Sequence, residues 1–72
     1  LTVVFRGEAS LTQLERWLRS VLWLRESGMI WWNILVFTDD LKEDSLQYVR
    51  EMEEQGYLAG VTKEQWKDWV DS

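Results

Sequence analysis

The sequence predicts a small single-domain α/β fold over residues 1–72, ordered βαβα and closed by a short third helix, with two strands or three in the sheet and a parallel core pair packed by helices. Three features carry that expectation. The run Met29 to Asp40, MIWWNILVFTDD, is apolar on both faces when read with a period of two. It therefore needs cover on each side, as a central or parallel strand beneath helices does. Helix-start signals recur at Ser10, Asp40 and Thr62, with Gln13, Glu43 and Gln65 at capping-box spacing. The chain also echoes itself, with VVF, a polar corner and SLTQLERW in the first half and LVF, a polar corner and SLQYVREM in the second. A strand that feeds a helix twice over favours a parallel pair joined by a right-handed crossover.

The first run, Leu1 to Arg6, is β-rich, with Val3 and Phe5 on one face and Val4 on the other, and it stops at Gly7. Ser10 then opens a helix with the stripe Leu11, Leu14, Trp17, Leu18, Val21 and Leu22, while Glu15, Arg16, Arg19 and Ser20 fall outside it. Trp23 lies about 120° round the helix from Trp17, so one of these indoles leaves the stripe. Gly28 is placed as the C′ residue that ends the helix. Trp31 and Trp32, neighbours in the central strand, point to opposite faces, and one compact core does not easily take both.

Asp40 and Glu43 announce the second helix, faced by Leu41, Ser45, Tyr48, Val49 and Met52 with Leu46 at the flank, and Gly56 closes it. Residues 57–61, YLAGV, form a weak strand because Ala59 and Gly60 offer little side chain to pack. Thr62 with Gln65 starts the last helix, where Trp66, Trp69 and Val70 share a face. A helix so short holds only by packing. A sheet of two or three strands keeps open edges, to be covered by the C-terminal segment or by another chain.

Composition narrows the chemistry. Seventy-two residues sit near the lower limit for a self-sufficient core, and six tryptophans supply aromatic mass in place of length. The absence of cysteine removes disulfides and thiolate metal sites; the absence of histidine removes the usual general base and metal ligand. A net charge of -5 disfavours nucleic acid and anionic membranes as partners. With no apolar run approaching roughly 20 residues and no secretory signal, a cytoplasmic location is expected. The opening at Leu1, almost directly into a strand, points to a processed product or a domain of a longer chain. Its serines and lysines have no activating partner in the sequence, and no phosphate-binding glycine motif occurs, so an enzyme is not expected and no cofactor is implied.

The acidic cluster Asp39, Asp40, Glu43 and Asp44 follows the central strand, where open α/β sheets place ligands, and carboxylates there suit Mg²⁺. Helix capping accounts for the same residues without an ion. The stretch ILVFTDDLKEDSLQYVREMEEQGYLAGVT resembles the opening β-α-β of a response-regulator receiver domain, and by that likeness Asp39 and Asp40 correspond to its Mg²⁺-binding pair. The likeness covers fewer than half the residues. The sequence supplies no counterpart of the phospho-accepting Asp or the later Thr/Ser and Lys positions, so phosphotransfer does not follow.

What remains is a non-enzymatic interaction module that docks a protein partner or a second copy through a tryptophan-bearing apolar surface. Its expected anchors are Trp23, Trp32, Trp66 and Trp69, with Arg16 and Arg19 as rim charges. One alternative is a small acidic inhibitor or immunity-type protein that mimics nucleic acid through acids such as Glu51, Glu53 and Glu54. Another is a designed scaffold without biological function, in keeping with its regular helix-start signals.

Overall fold

In the computed structural model, which describes residues 2–28 and 33–71, strands β1 (Thr2–Phe5), β2 (Asn33–Phe37) and β3 (Ala59–Val61) lie side by side in that order. All pairing is parallel, with Val3 beside Ile34, Phe5 beside Val36 and Val61 beside Phe37. Helices α1 (Leu11–Ser27), α2 (Glu43–Glu54) and α3 (Lys63–Asp71) alternate with the strands. This is the expected α/β domain, with the short third strand included. The Met29 to Trp32 part of the central run, and with it the question of Trp31 and Trp32, lies outside the described residues.

The order β1, β2, β3 means that both crossovers step the same way across the sheet, and a shared hand puts α1 and α2 on one face. The core is built there. Leu14, Leu18 and Val21 of α1 meet Ile34 and Val36 of β2, Val49 of α2 and Leu58, with Val3 and Phe5 packed alongside. The edge of the Phe5 ring meets Trp17 at 5.0 Å between centroids. The opposite face carries Val4, Leu35, Phe37, Ala59 and Val61, and α3 covers its far end through Trp66, whose ring lies 5.8 Å from Phe37. The central strand therefore has helices on both sides, as its two apolar faces require.

The starts of α1 and α3 follow the predicted capping boxes: Ser10 and Gln13 exchange hydrogen bonds, as do Thr62 and Gln65. The second predicted box does not form. Lys42 occupies the N-cap of α2 without a side-chain bond, because a turn over Thr38 to Leu41, closed by Leu41 N–H donating to Thr38 O, takes Asp40 out of capping position. Asp39 instead serves the far helix, where its Oδ2 accepts from the Lys63 backbone N–H at 2.6 Å, and Asp40 pairs with the Lys63 ammonium at 3.2 Å. Gly28 ends α1 in extended rather than left-handed backbone. Gly56, at φ 84, makes the left-handed turn after α2, with Tyr57 N–H donating to Met52 O and Gly56 N–H to Glu53 O.

Gly60 is what makes β3 possible. A Cβ at that position would stand 3.2 Å from Thr38 Cγ2 and 3.4 Å from Val49 Cγ1. The missing side chain lets α2 lie directly on the strand, so the residue that weakens β3 in the sequence secures its packing.

Candidate docking surface

On α1 the buried positions Leu14, Leu18 and Val21 face the sheet, which leaves Arg16, Arg19, Ser20 and Trp23 along the outer ridge at helical spacing. Of the two indoles in question, Trp17 stays on the core with Phe5 and Trp23 leaves it. Trp23 is 66 % exposed and its neighbour Leu24 47 % exposed. Together with Arg19 and Ser20 they line an open, mainly apolar hollow of about 420 Å³. A large indole beside an exposed leucine is not the normal surface of a helix whose other face is already satisfied.

The two flanks of α1 differ in character. Glu15 and Arg19 lie near Tyr48 of α2: burial raises the phenol above the ordinary tyrosine value, Glu15 raises it further and Arg19 opposes. That flank faces α2. Trp17 and, seven residues on, Leu24 occupy the other flank, above β1 and the outer edge of the sheet.

A second apolar patch lies on α3. Trp66 is half-buried against Phe37 and meets Trp69 edge-on at 6.4 Å, while Trp69 is 55 % and Val70 64 % exposed. The Arg6 guanidinium stands 5.4 Å from the centre of the Phe37 ring, a cation–π contact that closes the end of this cluster.

The five expected anchors that fall among the described residues do not form one surface. Arg16, Arg19 and Trp23 share the outer ridge of α1; Trp66 and Trp69 share α3 across the sheet; Trp32 lies outside the described residues. The exposure of Leu24 was not legible, because it follows Trp17 by seven residues at the margin of the apolar stripe, where periodicity alone does not separate buried from exposed.

The acidic corner is engaged internally. Asp39 and Asp40, the pair that the receiver-domain likeness assigns to Mg²⁺, both bind Lys63. Asp44 accepts from the Ser45 N–H, and Glu53 accepts from the Gly60 N–H at 2.8 Å. Among the described residues no group of three or more potential metal ligands gathers, and no helix is long and apolar enough to cross a membrane. Compared with protein-family models, curated proteins and solved structures, the chain matches none.

Proposed function

We propose that this chain is a non-enzymatic docking module whose α1 ridge anchors a protein partner or a second copy of itself. The observation that carries the proposal is the exposure of Trp23 beside Leu24, around an apolar hollow rimmed by Arg19. Tryptophan and arginine are the residues most enriched where interfaces concentrate binding energy, and the arrangement has the form of an apolar centre with a charged rim. Arg16, one turn back on the same ridge, extends that rim. The acidic-mimic alternative draws less support, since Glu53 is already used within the fold.

The test has two arms. Sedimentation across concentration is compared for the parent, Trp23→Ala and Trp32→Ala, and helical peptides selected from a random library for binding to the parent are titrated against Trp23→Ala. Loss of self-association, or a drop of about thirtyfold or more in peptide affinity, on Trp23→Ala supports the module. A parent that is monomeric at every concentration, with selected peptides indifferent to Trp23→Ala, ends it.

A further inference from the structure

The sheet has two edges, and the structure treats them differently. At β3, Val61 O accepts from Thr38 N–H, so Val61 turns its peptide groups toward β2. Successive residues of a strand alternate in this respect, so the Gly60 N–H points outward, to the edge. Glu53 of α2 reaches over and accepts it at 2.8 Å. A carboxylate thus occupies the donor that an added strand would need, a device that blunts an edge. Among the described residues, β1 has no such guard. Its four residues, TVVF, are uncharged and free of proline, and two are β-branched valines.

Above the β1 edge the flank of α1 is uncharged as well, with Gln13, Trp17, Ser20 and Leu24 at helical spacing, Leu24 exposed and Ser20 small. In a chain of net charge -5 this is where a like-charged copy can approach without opposing ions.

From these features we infer that two copies of this chain join edge to edge through β1, antiparallel about a two-fold axis normal to the sheet, so that two three-stranded sheets become one. An open strand edge specifies a strand as its occupant, because its donors and acceptors repeat at strand spacing. Self-pairing through β1 with β3 would propagate without closing, and Glu53 stands in its way; β1 with β1 closes. A two-fold axis normal to the sheet keeps each face on its own side, so the register centres on a residue. Centring on Val4 sets it against its own copy on the α3 side and sets Val3 against Phe5 of the partner subunit on the helix side. The latter is a β-branched–aromatic pair of the favourable kind. The same axis brings α1 beside its mate, Trp17 toward Leu24 of the partner subunit, with Ser20 allowing close approach. An antiparallel pair at the edge of a parallel sheet is common in α/β folds.

This goes beyond the docking proposal: it seats a second copy on the β1 edge rather than on the Trp23 ridge, so the two fail separately. The protein has no cysteine, so Val4→Cys is a clean probe: antiparallel neighbours stand about 4.5–5.5 Å apart at Cα, within the span of a disulfide. Mild oxidation should convert most of Val4→Cys to a covalent dimer, with Glu64→Cys on the exposed side of α3 left monomeric. By sedimentation the parent should be a dimer, Val4→Lys should raise its dissociation constant at least about tenfold through like charges on the axis, and Glu53→Ala, which unguards β3, should add species larger than a dimer. A parent monomeric to millimolar concentration overturns the inference. So does a dimer that Trp23→Ala dissolves while Val4→Lys does not, though the docking ridge then stands. Equal cross-linking of Val4→Cys and Glu64→Cys also overturns it.

Discussion

Gly60→Ala tests whether close packing of α2 on β3 sets the stability of the fold. The backbone at Gly60 is not among the positive-φ glycines, so alanine can adopt it, and on that ground alone the substitution should stabilise by about 0.4–1 kcal/mol through the unfolded chain. The space opposes it. The new methyl would lie 3.2 Å from Thr38 Cγ2 and 3.4 Å from Val49 Cγ1. Neither neighbour can yield cheaply, since Thr38 bonds Val61 O through both its hydroxyl and its N–H, and Val49 is fully buried in the core. Overpacking of that kind costs about 1–3 kcal/mol, which leaves a net loss of roughly 0.5–2 kcal/mol. Urea unfolding followed by tryptophan fluorescence should show a lower midpoint at unchanged slope. In a Val49→Ala background one of the two contacts is gone, so Gly60→Ala should cost at least about 0.5 kcal/mol less there. Gly56→Ala is the control: with nothing within 4 Å and φ +84, its cost of about 1–2 kcal/mol is conformational and should not respond to Val49→Ala. A Gly60→Ala protein as stable as the parent, or one indifferent to Val49→Ala, refutes the packing account.

Trp23→Ala should leave stability within about 0.5 kcal/mol by the same unfolding assay, whereas Trp17→Ala, which removes the partner of Phe5, should cost about 2 kcal/mol or more. Ser45→Ala should stabilise by roughly 1 kcal/mol, because Ser45 is fully buried, its hydroxyl has no hydrogen-bond partner, and alanine is the better helix former. Ser10→Ala should cost about 1 kcal/mol through loss of the α1 cap, seen in the thermal midpoint. The raised Tyr48 pKa favours the neutral phenol in the folded state, so its contribution is intact below the ordinary tyrosine value of about 10 and is lost as pH rises through the higher folded value. Unfolding titrations should therefore show a steeper alkaline decline for the parent than for Tyr48→Phe.

The elements themselves were legible because their signals are local. Ser10 with Gln13 and Thr62 with Gln65 act within one turn of backbone, and the stripe through Leu14, Leu18 and Val21 needs only helical geometry. Asp40 was misread because its pattern matched a cap while a turn over the preceding residues and a lysine distant in sequence, Lys63, competed for it. Gly60 was undervalued for a related reason: a missing side chain has meaning only against what presses on it, here Thr38 and Val49. The anchors expected on α1 and on α3 lie on opposite sides of the sheet and do not share one surface. Periodicity tells which way a side chain leaves its own helix, but not on which side of the sheet that helix comes to rest.

The clasp of Asp39 and Asp40 on Lys63 joins the corner after β2 to the first turn of α3, and Trp66 adds an aromatic seat on Phe37. The terminal helix is only nine residues long and its Trp69 and Val70 are largely exposed, so it should detach as a unit while the rest of the molecule remains folded. Amide exchange would then follow two regimes, faster along α3 than in β2 and α1. Each such excursion would briefly bare Phe37 and Val61, and a protease attacking near Thr62 would make that exposure permanent.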